Sequence, residues 1–460
     1  MSAGHGGDGE LTLPGLKSVH KMVGNVGSKG GISIPFWSIV IVFVLALVFF
    51  AANAPTQHAL NWRMTLMTGP LWMPIVFGRF ALMRYLQMRR LGFNLMNRFV
   101  LLELRLPRET KKTPRAMETV FTNIHLSPGE GTWMKKYWYG RTRPWWSFEI
   151  ASFGGDIHYY VYVRESMRRA VEAAFYSQYP EIELIEAVDY SRLRDPSKEP
   201  FEIYATEYKH DKPDPFPIRT YVDYGLDKPG LKPEETTDPL ANMLEIFGSI
   251  GPGEELWTQI IFRTTKTEKW RGKKPGRSWK DDAKDAIEEV KKKYQKEIIV
   301  VDPQSGALKQ SSYSDMTDVG KEIVKAIERN IDKPPFDVGI RSIYSAPKDK
   351  FQVMAPFVSQ LFKPYNSEHL NKIGPTGWSE IFSDYPWEDV GGKIKKAMMT
   401  EVVELYRMRS YFHPPYRGEW MIMSTEELAS IFHIPSTAVR TPSLQRTTST
   451  TSSAPANLPT

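Results

Sequence analysis

SFEIASFGGDIHYYVYVRESMRRAVEAAFYSQYPEIELIEAVDY, Ser147 to Tyr190, is the stretch on which the fold turns. Phe148, Ile150, Ile157, Tyr159, Val161 and Val163 alternate with Glu149, Ala151, His158, Tyr160 and Tyr162. Period-two alternation marks strands with one buried face. Gly154-Gly155 between the runs tolerates the positive φ of a two-residue hairpin turn. From Glu165 the period changes. Met167, Ala170, Val171, Ala174 and Phe175 form a helical apolar stripe, with Arg168, Arg169 and Glu172 expected to face outward. Pro180 stops that helix, and Ile182, Leu184 and Ala187 read as a returning strand.

On the N-terminal side, FVLLELRL (Phe99 to Leu106) reads as a strand. Thr113-Pro114 opens a helix as N-cap and first helical residue, with Met117, Val120, Phe121 and Ile124 buried. The order is strand, helix, strand, strand, helix, strand, which predicts a ferredoxin-like domain over 99–190. After a polar linker (Ser191 to Pro200) the order repeats. PIRTYVDY (Pro217 to Tyr224) is expected as a strand, Pro239 to Ile250 as a helix, and Leu256 to Arg263 and Phe336 to Tyr344 as strands. Asp349 to Phe362 is expected as a helix and Glu419 to Met423 as the last strand, with Phe201 to Tyr208 a candidate edge strand. Ser424-Thr-Glu-Glu427 is a capping box opening a final short helix. The predicted class is therefore α+β, with two tandem ferredoxin-like (βαββαβ) domains over 99–190 and 201–435, the second carrying insertions at 265–335 and 365–415. The first insertion holds a charged helix, Ser278 to Gln295, with a thin stripe at Ala283, Ile287, Val290 and Tyr294.

Further out, residues 1–31 are rich in Gly and Ser and read as a disordered lead, and 436–460 as a low-complexity, disordered tail. Residues 34–52, IPFWSIVIVFVLALVFFAA, are uncharged and would span about 28 Å as a helix, close to bilayer thickness. They are expected to cross a membrane. A second span or an interfacial helix is expected over 64–86, despite Pro70, Pro74 and Arg79, within a membrane region of 32–90. Trp37, Trp62, Arg84, Arg89 and Arg90 are its candidate interface anchors. From Arg79 to Arg115 there are ten Lys or Arg and two acids, which places the rest of the chain in the cytoplasm.

The 460 residues hold 41% hydrophobic and 12% aromatic residues, ample for large cores, and a net charge of +7. The absence of cysteine excludes disulfides and thiol catalysis. No P-loop, HExxH, paired-His zinc spacing or nucleophile elbow appears, and no cofactor motif is found. Glu149 and His158 are a candidate acid–base pair across the hairpin. GTWMKKYWYGRTRPWW (131–146) interleaves Trp133 and Trp138 with Lys135, Lys136, Arg141 and Arg143, residues suited to nucleic acid or to a membrane surface. A loop packed on its own domain is the plainer alternative.

LLELRLPRETKKTPRAMETVF, YSQYPEIELIEAVDY, DPFPIRTYVDYG, DPLANMLEIFGSIGPGEELWTQI and STEELASIFHIP resemble a bacterial membrane-anchored domain of unknown function. That domain is found fused to or beside HerA/TraG-type ATPases of type IV secretion and conjugation-like systems. The resemblance runs from about residue 99 to 460. It implies a non-catalytic inner-membrane component that docks a separate ATPase and is oligomeric within the assembly. The ending APANLP precedes the ATPase domain in fused members, so the motor is expected to be another polypeptide. Two alternatives stand beside this one. One is a membrane-tethered nucleic-acid-binding module using 131–146 and the basic Lys269 to Lys280 segment; the other is an enzyme with an unrecognised site.

Overall fold

The computed structural model describes residues 55–435, apart from 108–109, 111, 127–131, 133, 199, 229–236, 267–277, 297–298, 302–307, 311–314, 377–390, 414–415 and 417, together with 446–447. Two compact units divide the chain. The first comprises the described residues of Met1–Asn97, Glu130–Thr142 and Ser379–Gly418. The second comprises those of Arg98–Gly129, Arg143–Trp378 and Glu419–Thr460.

The first unit contains helix α1 (Pro55–Met96), the short turn Met134–Trp138 and a helix over Lys393–Arg407. The expected second span over 64–86 falls inside α1 and is corrected. Pro70 and Pro74 remove backbone donors, and Arg79 and Arg84 interrupt the apolar run. Among the described residues no helix is long and apolar enough to cross a membrane. The expected first span, 34–52, lies outside the described residues, as do the lead 1–31 and most of the tail. The transmembrane N-terminus is therefore not part of the observed architecture.

The second unit is built on one sheet. In chain order its elements are β1 (Phe99–Pro107), α2 (Pro114–Ile124), β2 (Trp146–Phe153), β3 (Asp156–Arg164), α3 (Arg168–Gln178), β4 (Glu183–Glu186), β5 (Phe201–His210), α4 (Pro239–Gly248) and β6 (Glu255–Thr264). There follow α5 (Trp279–Tyr294), the short strands β7 (Gln295–Lys296), β8 (Ile299–Val301), β9 (Leu308–Gln310) and β10 (Asp315–Met316), and α6 (Asp318–Asp332). The rest are β11 (Pro335–Pro347), α7 (Lys348–Ser359), β12 (Ile373–Thr376), β13 (Met421–Ser424), α8 (Thr425–Ile431) and β14 (Arg446–Thr447).

The strands run β12-β5-β11-β6-β2-β3-β1, with β4 on the far side of β1 and β13 on β11. All these neighbours are antiparallel; β14 adds two residues in parallel to the end of β1. The expectation of two separate ferredoxin-like domains is thus corrected. β2 and β6 pair from Trp146↔Phe262 to Phe153↔Glu255, so what would have been two sheets is continuous. The α+β class stands. Joining the edges satisfies two rows of backbone groups that would otherwise be exposed.

The hairpin lies where the glycines put it, with Gly154 at φ 61° and Gly155 at φ 103°. A Cβ on Gly155 would lie 3.1 Å from the carbonyl oxygens of Gly248 and Ile250, so the turn is also a close approach. The core lies between one sheet face and α2, α3, α4, α7 and α8. At its centre Phe121 meets Phe148 at 5.3 Å and Phe262 at 5.4 Å, while Phe148 meets Phe432 at 5.1 Å. Met117, Val120, Phe121 and Ile124 are all buried, as the periodicity of α2 requires. On α3 the stripe is shifted: Ala170 is exposed, and Glu172 is buried, taking a 2.7 Å hydrogen bond from Arg168. Helices α5 and α6 pack on each other through Ala283, Ala286 and Val290 against Ile323, Val324 and Ile327.

PIRTYVDY is not a strand but a series of turns. Two of its amides donate to α8, and the Arg219 amide donates to the Tyr365 carbonyl. Ile218 N donates to Glu427 Oε1 at 3.0 Å and Tyr221 N to Ser430 Oγ at 2.8 Å. The capping box supplies the other half of that contact, with Ser424 N donating to Glu427 Oε2 at 2.9 Å. β5 is the strand that β11 pairs in its place, and β13 joins β11 over only four residues.

Candidate functional site

Two clusters carry chemically capable side chains, one in each unit.

In the second unit, cross-strand register lines up a polar row on the sheet face opposite the core: Glu103, Tyr160, Glu149, Gln259, Arg341 and Glu207. Glu149 is fully buried and its carboxylate accepts hydrogen bonds from neighbouring side chains. Ser147 Oγ donates at 2.6 Å, Tyr190 OH at 2.8 Å and Gln259 Nε2 at 3.0 Å. Arg341 Nε donates to Gln259 Oε1 at 2.8 Å, continuing the chain. The Tyr190 ring stacks on Tyr160 at 4.8 Å. Burial, with Glu103 and Glu149 nearby, pushes the Tyr160 phenol well above its ordinary pKa.

The expected Glu149–His158 pair does not form. Register sets Glu149 opposite Tyr160 and His158 opposite Ala151. His158 Nδ1 lies 2.7 Å from Glu103 Oε1 on β1, and that hydrogen bond holds Glu103 below its usual range. Asp337 anchors a neighbouring buried group, accepting from Arg263 Nε at 2.9 Å and Thr265 Oγ1 at 2.8 Å, with Arg143 at 3.1 Å. Arg143 also donates to the Thr264 carbonyl at 2.9 Å. Buried hydrogen-bonded networks of this kind fix strand register and side-chain rotamers. Among the described residues no group of three or more His, Asp or Glu is placed to hold a metal ion.

In the first unit, the turn Met134–Trp138 lies against α1. Arg89 Nε donates to the Trp138 carbonyl at 2.8 Å, and Thr142 Oγ1 to Asn94 Oδ1 at 2.8 Å. The Tyr85 and Trp138 rings are 6.3 Å apart. Gly140, at φ 66°, lets the backbone pass so close to Arg89 that a Cβ would meet its carbonyl carbon at 2.5 Å. Lys135 and Arg141 are exposed and Lys136 half-buried, while Trp138 and Tyr139 are each 55% exposed. On α1, Arg84 and Arg89 are exposed and Arg90 half-buried. α1 carries five arginines and no acid.

The candidate contacts read from 131–146 therefore part company. Lys135, Lys136, Trp138 and Arg141 belong to the first unit; Arg143 is buried in the sheet beside Asp337. Trp133 and Trp37 lie outside the described residues, and of Trp62 only the helical backbone is described. Most of the Lys269 to Lys280 segment also lies outside them. Gln259, Arg341, Tyr190 and Asp337 were not singled out from the sequence. The signal for Gln259, Arg341 and Asp337 was a polar residue inside an apolar strand, as in LWTQIIFR and FDVGIRSIY; Tyr190, in a turn, carried no such signal.

Residues 97–447 match the model of a family described as Domain of unknown function (DUF8128). None of the curated proteins matches the chain.

Proposed function

We propose that this chain, which belongs to the family described as Domain of unknown function (DUF8128), is a non-catalytic docking component that positions a separate P-loop ATPase in a type IV secretion-like machine at the bacterial inner membrane. The observation that carries the docking part is the edge of β5. From Phe201 to Tyr208 it pairs with β11 on one side, while β12 lies against the other side only at Glu207–His210. Among the described residues no strand pairs with the outer side of β5 before Glu207; Ile203 and Ala205 there are buried, and a sheet edge is where an extended partner segment adds a strand. The sheet's interior supports the same reading, because the carboxylates of Glu149 and Asp337 are engaged in holding strands together. The ATPase rests on the resemblance of the segments quoted above. Affinity purification of the full chain in mild detergent is expected to recover a polypeptide with a P-loop, identified by mass spectrometry. Repeated recovery without one overturns the reading.

A further inference from the structure

We propose that the first unit has a lipid-binding face, formed by the second half of α1 and the Met134–Trp138 turn, which seats on an anionic bilayer surface and lies in the headgroup layer without crossing it. This is independent of the docking edge on β5. Three observations converge.

The first is an exposed stripe along α1. Met73, Phe77, Met88, Leu91 and Leu95 are exposed, with Met88 73% and Leu95 77% accessible, and Arg84 falls in the same series. Their steps of three, four or seven residues put them on one side of a helix. Long aliphatic side chains at such exposure need a cover, and they insert readily among acyl chains at the headgroup boundary.

The second is the charge. α1 holds five arginines and no Asp or Glu, and the segment from Met134 to Arg143 is also without acid. A surface with this balance is complementary to a layer of phosphates. It repels an identical copy of itself, which argues against self-association through this face.

The third is the fixed turn. The hydrogen bond from Arg89 to Trp138 and the close passage of Gly140 hold the turn on α1 with the Trp138 ring 6.3 Å from Tyr85, and Tyr139, Lys135 and Arg141 are exposed in the same segment. Indole and phenol rings next to Lys and Arg are the chemistry of the membrane–water boundary. Nucleic acid would use the cations and the rings but gains little from Met73, Met88 or Leu95, which offer no flat surface to stack on a base. The aliphatic stripe therefore favours lipid.

The test is co-sedimentation of the full chain with preformed vesicles of phosphatidylethanolamine and phosphatidylglycerol, against vesicles of phosphatidylcholine alone. Preference for the anionic vesicles is expected, falling as NaCl rises from about 50 to 300 mM. Arg84→Glu with Arg90→Glu and Lys135→Glu is expected to weaken anionic binding by about tenfold or more. Met88→Asp with Leu95→Asp is expected to weaken it through the apolar contact, with circular dichroism unchanged in both variants. Equal binding to both vesicle types, unaltered by either variant, overturns the proposal and assigns lipid binding to another segment, such as the apolar run at 34–52. Salt-sensitive binding to a DNA duplex or single strand, with no vesicle preference, overturns it in favour of nucleic acid.

Discussion

Arg141 and Arg143 stand two residues apart in one Trp- and Arg-rich run, yet they belong to opposite kinds of surface. Arg143 is buried in the second unit, 3.1 Å from Asp337. Arg141 is exposed in the first unit, near no acid in its own segment. The same contrast holds for Arg263 and Arg341, committed to the sheet, against Arg84, exposed on α1. A guanidinium in a low-dielectric interior requires a compensating partner and becomes part of the fold. On a segment without acids it is available for an outside anion. The composition of the run from 131 to 146 could not distinguish these uses, because the boundary between the two units passes through it at Thr142.

The comparison is broken most directly at Asp337. Asp337→Ala leaves Arg263 and Arg143 buried without their carboxylate and is expected to cost about 3–5 kcal/mol, read from chemical denaturation. A change under about 1 kcal/mol would mean that these arginines are not structural in the sense argued. Next is Gly155→Ala in the hairpin. It places a side chain at φ 103° and 3.1 Å from two carbonyl oxygens, with an expected loss of about 1–3 kcal/mol.

A smaller effect is expected from His433 and Asp238, a buried pair 3.1 Å apart. Burial opposes the charge on His433, but the Asp238 carboxylate outweighs it and raises the imidazole above its ordinary 6.5. Burial likewise opposes the charge on Asp238, and His433 prevails, holding it below its ordinary 3.8. The histidine's contribution is complete below 6.5 and is lost as pH rises through its raised folded value. The aspartate's is complete above 3.8 and is lost as pH falls through its depressed folded value. Urea midpoints should therefore fall on either side of that window, and His433→Gln should flatten the alkaline limb. The smallest expected change is Arg84→Glu with Arg90→Glu, within about 0.5 kcal/mol of wild type in denaturation. A large loss there would show that the α1 cations hold the fold together.

Much of the fold was legible because it is local. Period-two alternation and a Gly-Gly pair place β2 and β3, the stripe from Met117 to Ile124 places α2, and Ser424 with Glu427 announces α8. The candidate site was less legible, since the strand pattern carries Glu149 but not its partners. Gln259 lies 110 residues away and Tyr190 lies 41. His158 was matched to the wrong carboxylate because register with β1 is invisible from the hairpin alone. The membrane expectation over 64–86 weighed apolar content above the prolines and arginines that break it.

The amino-acid order alone determined which segments carry helical or extended periodicity, where the capping box of α8 sits, and that α1 and its neighbouring turn are basic without acids. Tertiary structure decided that β2 and β6 unite the strands in one sheet, and that the Ile218 and Tyr221 amides of PIRTYVDY go to Glu427 and Ser430 instead of to a strand. It also decided which arginines are interior. The reason is range: periodicity and capping are satisfied within a few residues, whereas edge pairing and charge burial depend on segments a hundred or more residues away that meet only in the folded chain.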